Sequence, residues 1–164
     1  MASQAAVQDT QRQMLRHTVA TLAYRGAKAM RGAPGYFAEY KAPEKTRTPN
    51  QLLAHISDLL DWALSMSQGK HEWHDSPPLG WDPGVQRFHT ALQAFDAYLA
   101  SGHALQVPPE KLFQGPIADA LTHAGQLTML RRLARAPIRP ENYFKADIAA
   151  GRVGAQQNAA VQEF

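Results

Sequence analysis

The chain has 164 residues, of which 45% are hydrophobic and 19% charged, so its composition fits one globular domain with one core and excludes global disorder. The absence of cysteine excludes disulfides, iron–sulfur clusters, thiolate metal ligands and a cysteine nucleophile. A net charge of +3 without a clustered basic stripe predicts no nucleic-acid partner. The polar N-terminus lacks an apolar signal core, and no stretch approaches the ~18 apolar residues that cross a membrane. We therefore expect a cytoplasmic protein with no membrane partner.

The first two helices are predicted from apolar spacing and from capping residues. Apolar side chains recur at helical intervals across about 11–31. A stronger start signal follows at Thr48, which can cap a helix whose first position is Pro49 and whose capping box is closed by Gln51. This second helix is predicted to run to Gln68, and its wide apolar stripe indicates a buried face.

Three histidines and one tryptophan on and after the second helix are candidates either for a functional site or for packing. His55 lies at one edge of the apolar stripe, where either a metal ligand or a buried, hydrogen-bonded histidine fits, and this helix alone favours the second. His71 and His74 have a ligand-like spacing, but they precede a Pro-rich turn with no regular element to fix them. We interpret their loop as solvated and anchored by Trp73 rather than as a metal site.

A third helix is predicted to open at Asp82-Pro83, where a capping residue again precedes a proline, and to end near residue 101. Its core face is apolar and regularly spaced. His89 and Asp96 share one flank of that face, two turns apart. We interpret both as packing or surface groups.

The fourth helix is predicted to open at Gly115-Pro116 and to end near Arg135, and it carries Asp119 and His123 one turn apart. Residues at i and i+4 lie on the same helix face, so both side chains can reach one point in space. Asp119 falls at the edge of the apolar stripe, where an unpaired buried carboxylate is very costly. With His55 as the best third partner, these side chains form a candidate metal site. The alternative is a buried Asp–His pair in a metal-free bundle.

Four long helices without any strand-like alternation predict an all-α fold, an up-down four-helix bundle in which sites are built from side chains on facing helices. We place the bundle at about 10–137 of a single domain spanning 1–164. The C-terminal extension, 138–164, is different in character. We expect an ordered segment lying across the bundle and then a weakly ordered end from Ala155 onwards.

The order and spacing of the helices and two sequence motifs resemble those of the DinB-like superfamily of metal-binding four-helix bundles. The motif on the second helix is Thr48-Pro49, Leu52-Leu53-Ala54-His55 and Asp61-Trp62. The motif on the fourth is Asp119-Ala120-Leu121-Thr122-His123, followed by Ala124-Gly125-Gln126-Leu127 and Leu130-Arg131-Arg132. The resemblance covers roughly 10–137, and the extension looks like one shared by a subset of such proteins.

The resemblance implies a divalent metal held by His55 and His123, which match the family's ligands directly. Asp119 is a departure, because it stands where most members have the first His of a His-x3-His pair. Mycothiol-dependent maleylpyruvate isomerases have a carboxylate there, as Glu-x3-His, so the change is compatible with binding. Independently of the family, two imidazoles and one carboxylate suit zinc, nickel or ferrous iron and leave a coordination position open.

Two functions follow from the resemblance. The first is an enzyme acting on a small-molecule substrate, either a transferase that uses an external low-molecular-weight thiol or a metal-dependent hydrolase. The second is a non-enzymatic stress-response or scaffold bundle, whose metal is structural or absent. A homodimer is a family-level expectation.

The end of the fourth helix is rich in arginine, with Arg131, Arg132, Arg135 and Arg139. These residues form either a solvated face that complements the helix dipole or a grip for the carboxylates of a thiol cofactor. On the second interpretation, the weak candidates for cofactor binding are Arg131, Arg135, Tyr143 and Arg152.

Overall fold

The computed structural model describes residues 4–43 and 45–164. It confirms an all-α four-helix bundle followed by a C-terminal extension, with no β-strand in the part of the chain described. The first three helices are α1, Gln4–Met30, α2, Pro49–Ser67, and α3, Trp81–Ala100. Helix α4 is a continuous helical segment made of Pro109–Leu112, a π-helical turn at Phe113–Ile117, and Ala118–Leu133. Short 3₁₀ turns occur at Gly35–Phe37 and Tyr143–Lys145.

The predicted start of α2 is confirmed in detail. The Thr48 hydroxyl accepts a hydrogen bond from the Gln51 backbone N–H at 3.3 Å, and the Gln51 side-chain oxygen accepts one from the Thr48 N–H at 2.9 Å. Pro49 occupies the first helical position, where a backbone N–H would have no partner within the helix, so its absence costs nothing. This double cap fixes where the helix begins, and therefore which turn of α2 carries His55.

Two predicted helix starts were too late. Helix α1 begins at Gln4 rather than near residue 11, because residues 6–11 are solvent-exposed and carry no apolar pattern to detect. Helix α4 begins at Pro109 rather than at Gly115-Pro116. Pro116 lies inside the π-helical turn, since a wider turn accommodates a residue that lacks an N–H and whose ring collides with the preceding carbonyl.

Helices α2 and α3 run in the same direction, so the expected up-down alternation is interrupted once. Asp58 of α2 pairs with Arg87 of α3, and the Ser67 carbonyl, further along α2, accepts a hydrogen bond from Tyr98, further along α3. Contacts that advance along both helices together show that the two helices are parallel. The 68–80 connector makes this possible because, at about 3.3 Å per extended residue, it is long enough to travel back along α2.

The remaining helix contacts define the order around the bundle. Helix α1 packs against α3 and α4, and α2 also packs against α3 and α4. Arg16 pairs with Asp96, so α1 and α3 are antiparallel, whereas Arg131 reaches the Ala29 carbonyl from the far end of α4, so α1 and α4 are parallel. The helices therefore run up, down, down and up, and the α2–α4 contact brings together the two helices that carry the candidate ligands.

The core is filled by fully buried aliphatic and aromatic side chains, the largest of which are Phe37, Phe88, Phe95, Leu22, Leu53, Ile56, Leu60, Leu92, Leu99, Leu112, Ile117 and Leu127. Gly26 of α1 permits one close approach, because a Cβ atom there would lie 2.6 Å from the Phe88 ring. The helices in the described residues all fall short of the combined length and apolarity that a membrane crossing requires.

The end of the C-terminal extension is tied to the protein, so the expectation of a weakly ordered end was wrong. The backbone N–H of Asn142 donates to the Gln162 carbonyl, and that of Phe164 donates to the Pro140 carbonyl, each at 3.0 Å. Lys28 of α1 reaches both Glu141 at 2.6 Å and Glu163 at 2.8 Å. The sequence did not predict this order, because the segment is held by hydrogen bonds and ion pairs and has no apolar face to recognise.

Candidate metal centre

The three predicted ligands come together where α2 crosses α4. His55 lies in the second turn of α2, and Asp119 and His123 project from one face of α4. One Asp119 oxygen is 3.4 Å from His123 Nε2, and the other is 3.8 Å from His55 Nε2. One ligand atom from each residue lies within 4.8 Å of the other two. The three side chains are therefore close enough to hold a metal ion.

The donor set and its spacing fit a divalent transition metal. Metal–ligand bonds of about 2.0–2.1 Å in a tetrahedral site separate the ligand atoms by about 3.3–3.5 Å. The 3.4 Å separation between Asp119 Oδ1 and His123 Nε2 already meets this value, whereas the 3.8 Å separation from His55 is to the other Asp119 oxygen. The three ligand atoms are up to 4.8 Å apart, so they must draw together when an ion binds. The shorter side chain of Asp119, compared with glutamate, thus reaches the space between the two imidazoles.

Gln126 orients His123 and was not predicted as a site residue. Its side-chain oxygen accepts a hydrogen bond from His123 Nδ1 at 2.8 Å. Because Nδ1 carries the proton, Nε2 keeps its lone pair on the side that faces Asp119. A partner of this kind fixes the tautomer of a metal-binding histidine and raises its basicity. The available sequence signal was the three-residue spacing from His123, which makes the two side chains neighbours on the helix surface.

The centre is enclosed on the imidazole side and open on the carboxylate side. The side chains of His55 and His123 are 16% and 12% exposed, whereas that of Asp119 is 49% exposed. Burial, together with the positive charge of Arg47, lowers the pKa of His55, although Asp119 acts in the opposite direction. His55 is therefore neutral at pH 7, the form in which imidazole binds metals.

Trp73 covers His55 from the connector between α2 and α3. Its ring meets His55 edge-on at a centroid distance of 5.7 Å and meets Trp62 in the same manner, also at 5.7 Å. The prediction that Trp73 anchors this loop is confirmed. The connector is also fixed at Ser76, whose backbone N–H and hydroxyl donate to the buried Asp58 carboxylate at 2.8 and 2.7 Å.

A polar cavity of about 400 Å³ opens beside His55, and its lining includes Arg47, Gln51, Asp58, Asp75 and Ser76. Arg47 is exposed at the cavity wall. The Asp58 carboxylate is already occupied, because Arg87 and Ser76 both donate to it. Space for a small molecule therefore exists next to a candidate ligand, with the Arg47 guanidinium at its edge.

The other histidines considered in the sequence lie elsewhere. His71 and His74 are exposed on the connector and do not join the ligand group found among the described residues. His89 is buried, its Nδ1 lies 3.4 Å from the Val153 carbonyl, and burial lowers its pKa. Its neighbour on the helix flank, Asp96, pairs with Arg16 at 2.9 Å. His89 and Asp96 thus have packing and ion-pair contacts, as interpreted.

Arg131 is a structural residue in the described bundle. Its guanidinium is buried and donates to the carbonyls of Ala29, Arg31, Gly32 and Ala136, which closes the ends of α1 and α4. Burial lowers its pKa. The Ala29 carbonyl belongs to the last turn of α1, whose acceptors have no partner within the helix, and the other three carbonyls lie just beyond the ends of α1 and α4.

The remaining cofactor candidates are dispersed. Arg135 is exposed with a positive φ of 60°, just after α4. Tyr143 stacks under Arg25, whose guanidinium carbon is 4.1 Å from the ring centroid. Arg152 donates to the Asp147 carbonyl within the extension. None of these three residues lines the cavity beside His55.

The four-helix fold and the His–Asp–His group are compatible with a DinB-like bundle. No protein-family model, curated protein or solved structure matches the chain. Function must therefore be inferred from the site.

Proposed function

We propose that this protein is a divalent-metal-dependent enzyme of the DinB-like type, with His55, Asp119 and His123 as the metal ligands. The observation that carries the proposal is the convergence of three donor side chains from two helices at a point that stays open on the Asp119 side. A structural metal site closes its fourth position with protein, whereas a catalytic one keeps that position free.

Each neighbouring side chain has a defined task in this proposal. Gln126 holds His123 with Nε2 towards the ion, and Trp73 shields His55 from bulk water. Arg47 attracts a negatively charged part of the substrate into the adjacent cavity. When bound, the ion would supply Lewis acidity and lower the pKa of a coordinated water or thiol.

Two reaction classes fit this arrangement. A thiol-dependent transfer needs an external low-molecular-weight thiol, because the chain has no cysteine of its own. Hydrolysis of an ester or amide needs only water at the open side of the site. Both reactions place the nucleophile at the same position, so an activity measurement must separate them.

A scaffold bundle without catalysis is the second candidate, and one observation favours it. Asp119 lies 3.4 and 3.8 Å from the two imidazoles, within ion-pairing distance of either ring in its protonated form, so the group can hold α2 against α4 without a metal ion. In that case the group stabilises the α2–α4 contact and the metal is dispensable.

Activity assays on metal-loaded protein separate the candidates. The protein, loaded in turn with zinc, nickel and ferrous iron, is assayed with thiol plus electrophile and with ester and amide panels. We expect turnover in one class with one or more of these metals, and loss of turnover in His123→Ala but not in His17→Ala, which alters an exposed histidine of α1. Turnover that is equal in His123→Ala, or absent from both panels, would reject the enzyme in favour of the scaffold.

A further inference from the structure

A second cavity, of about 320 Å³, lies between α1, α4 and the start of the C-terminal extension. We call it the arginine groove, because Arg25, Arg132 and Arg139 line it from these three segments. Its remaining lining includes apolar or small residues such as Leu121 and Ala124. The groove thus combines an apolar floor with cationic walls, which is the composition of a site for an anion with an apolar body.

The positive charge of the arginine groove is only partly offset within the described residues, since Arg139 helps Lys28, the larger cause, to lower the pKa of Glu163. None of the three guanidinium groups there makes an ion pair or a hydrogen bond to another described residue. Glu141 also lines the groove, but its carboxylate already accepts hydrogen bonds from Tyr24 and Lys28, each at 2.6 Å. Free guanidinium groups present several N–H donors in a plane that matches carboxylate or phosphate oxygens.

Arg25 is held in a defined orientation. Its guanidinium lies over the Tyr143 ring at 4.1 Å from the centroid, and Tyr143 in turn meets Tyr24 edge-on at 6.3 Å. Stacking on an aromatic face leaves the edge of the guanidinium free to donate hydrogen bonds. The groove therefore has one oriented cation on α1, and two further arginines line it from α4 and the extension.

The arginine groove and the metal centre lie on opposite sides of α4. At 100° per residue, Leu121 and Arg132 point about half a turn away from Asp119 and His123. A ligand in the groove is separated from the metal ligands by the helix itself. Binding there requires no metal, and it is independent of the proposed enzyme activity.

We propose that the arginine groove binds a small organic anion, in which a phosphate or carboxylate group is attached to a flat apolar body. The anionic group lies between Arg25, Arg132 and Arg139, and the apolar body rests against the floor on α4. A cavity of 320 Å³ is at the lower end of the size range of small-molecule sites, so the ligand is compact.

Calorimetric titration with phenyl phosphate and with phthalate tests the proposal, with benzyl alcohol as the neutral control. We expect saturable one-to-one binding of at least one anion and none of benzyl alcohol, and the preferred anion identifies the phosphate or the carboxylate as the recognised group. Arg25→Gln and Arg132→Gln should each weaken binding by at least about tenfold, the value of a charged hydrogen bond.

Two variants serve as matched controls. Arg135→Gln removes an exposed arginine outside the groove, and His55→Ala removes a candidate metal ligand, so both should bind the anion like the wild type. The proposal is overturned if neither anion binds up to about 10 mM. It is also overturned if Arg135→Gln weakens binding as much as Arg132→Gln, which would indicate only general attraction to a basic protein, or if His55→Ala abolishes binding, which would move the site to the metal centre.

Discussion

Gln126 decides which nitrogen of His123 faces Asp119. Its side-chain oxygen accepts the Nδ1 proton at 2.8 Å, so Nε2 is the nitrogen left for a metal. Gln126→Ala should weaken metal binding by about 10–100-fold, the usual effect of losing a hydrogen-bond partner of a ligand. The measurement is competition with a chromophoric chelator. Gln86→Ala, an exposed change on α3, is the control, and equal affinity in the two variants would contradict the account.

Sequence reasoning identified the candidate ligands better than their supporting residues. Asp119 and His123 could be paired because helical spacing puts i and i+4 on one face, and His55 because it stands at the edge of a buried stripe. Gln126 was not singled out, because a three-residue spacing such as that between His123 and Gln126 is common on helices and does not by itself indicate a role. The arginine groove could not be predicted from the sequence either, since Arg25 is distant in sequence from the other two arginines that line it.

At the scale of elements, Gly26 sets how closely α1 and α3 pack. A Cβ at Gly26 would lie 2.6 Å from the buried Phe88 ring, whereas one at Gly125 on α4 would meet no atom within 4 Å. Overpacking costs about 1–3 kcal/mol, which exceeds the gain of about 0.5–1 kcal/mol from replacing a helical glycine. Gly26→Ala should therefore lower the free energy of unfolding and Gly125→Ala should raise it. Denaturant titration of both variants measures this, and the same sign of change in both would be inconsistent with the packing described.

Asp58 ties the α2–α3 connector to α2 and should make its attachment sensitive to acid. Burial opposes ionisation of Asp58, but hydrogen bonds from Arg87 and Ser76 prevail and lower its pKa below 3.8. A carboxyl group whose pKa is lowered by folding stabilises the folded state at pH values above its ordinary pKa. This stabilisation is lost as the pH falls through the lowered pKa of the folded state. Asp58→Asn should cost about 1.5–3 kcal/mol at pH 7, and the difference from the wild type should shrink below pH 3.8.

Urea titrations followed by tryptophan fluorescence measure this change in the free energy of unfolding. Asp75→Asn is the control, because it alters an exposed carboxylate of the same connector. A difference between Asp58→Asn and the wild type that stays constant into acid would show that ionised Asp58 is not the source of the stability.

The elements differ in how well their sequences predicted them. The start of α2 was predictable because Thr48 and Gln51 cap it through local hydrogen bonds. The early start of α4 was not, because Pro116 ordinarily marks a helix start and here lies within a π-helical turn. The direction of α3 relative to α2 could not be predicted either, since the length of the 68–80 connector permits both a parallel and an antiparallel arrangement.

At the scale of the whole molecule, the C-terminal extension is held to α1 through Tyr24, Lys28 and Glu141. Burial and then the hydrogen bond to Glu141 raise the pKa of Tyr24 above its ordinary 10.0. A group whose pKa is raised by folding stabilises the folded state fully at pH values below its ordinary pKa. This stabilisation is lost as the pH rises above that ordinary pKa towards the raised one. The wild type should therefore become less stable above pH 10.0, and Tyr24→Phe should lose less over the same interval.

Thermal unfolding at pH 7 and above pH 10.0 measures this dependence. Tyr24→Phe should also be less stable at pH 7 by about 1.5–3 kcal/mol, because one hydrogen bond to a buried carboxylate is lost. Tyr40→Phe is the matched control. An alkaline loss that is as large in Tyr24→Phe as in the wild type would assign the dependence to other groups.

The overall fold class was predictable because helical periodicity and the absence of alternation extend over most of the chain. The attachment of the extension was not, because it depends on ion pairs between residues more than 100 positions apart, such as Lys28 and Glu141. Long-range polar contacts of this kind leave no periodic pattern in the sequence.

We propose that His55, Asp119 and His123 bind one divalent ion, and the metal content of protein purified without a His tag tests this site. Elemental analysis after loading and dialysis should find about one ion per chain in the wild type and in His17→Ala. The same measurement should find the ion lost from His55→Ala, Asp119→Ala and His123→Ala. Wild-type metal content in the His55 and His123 variants would contradict the account.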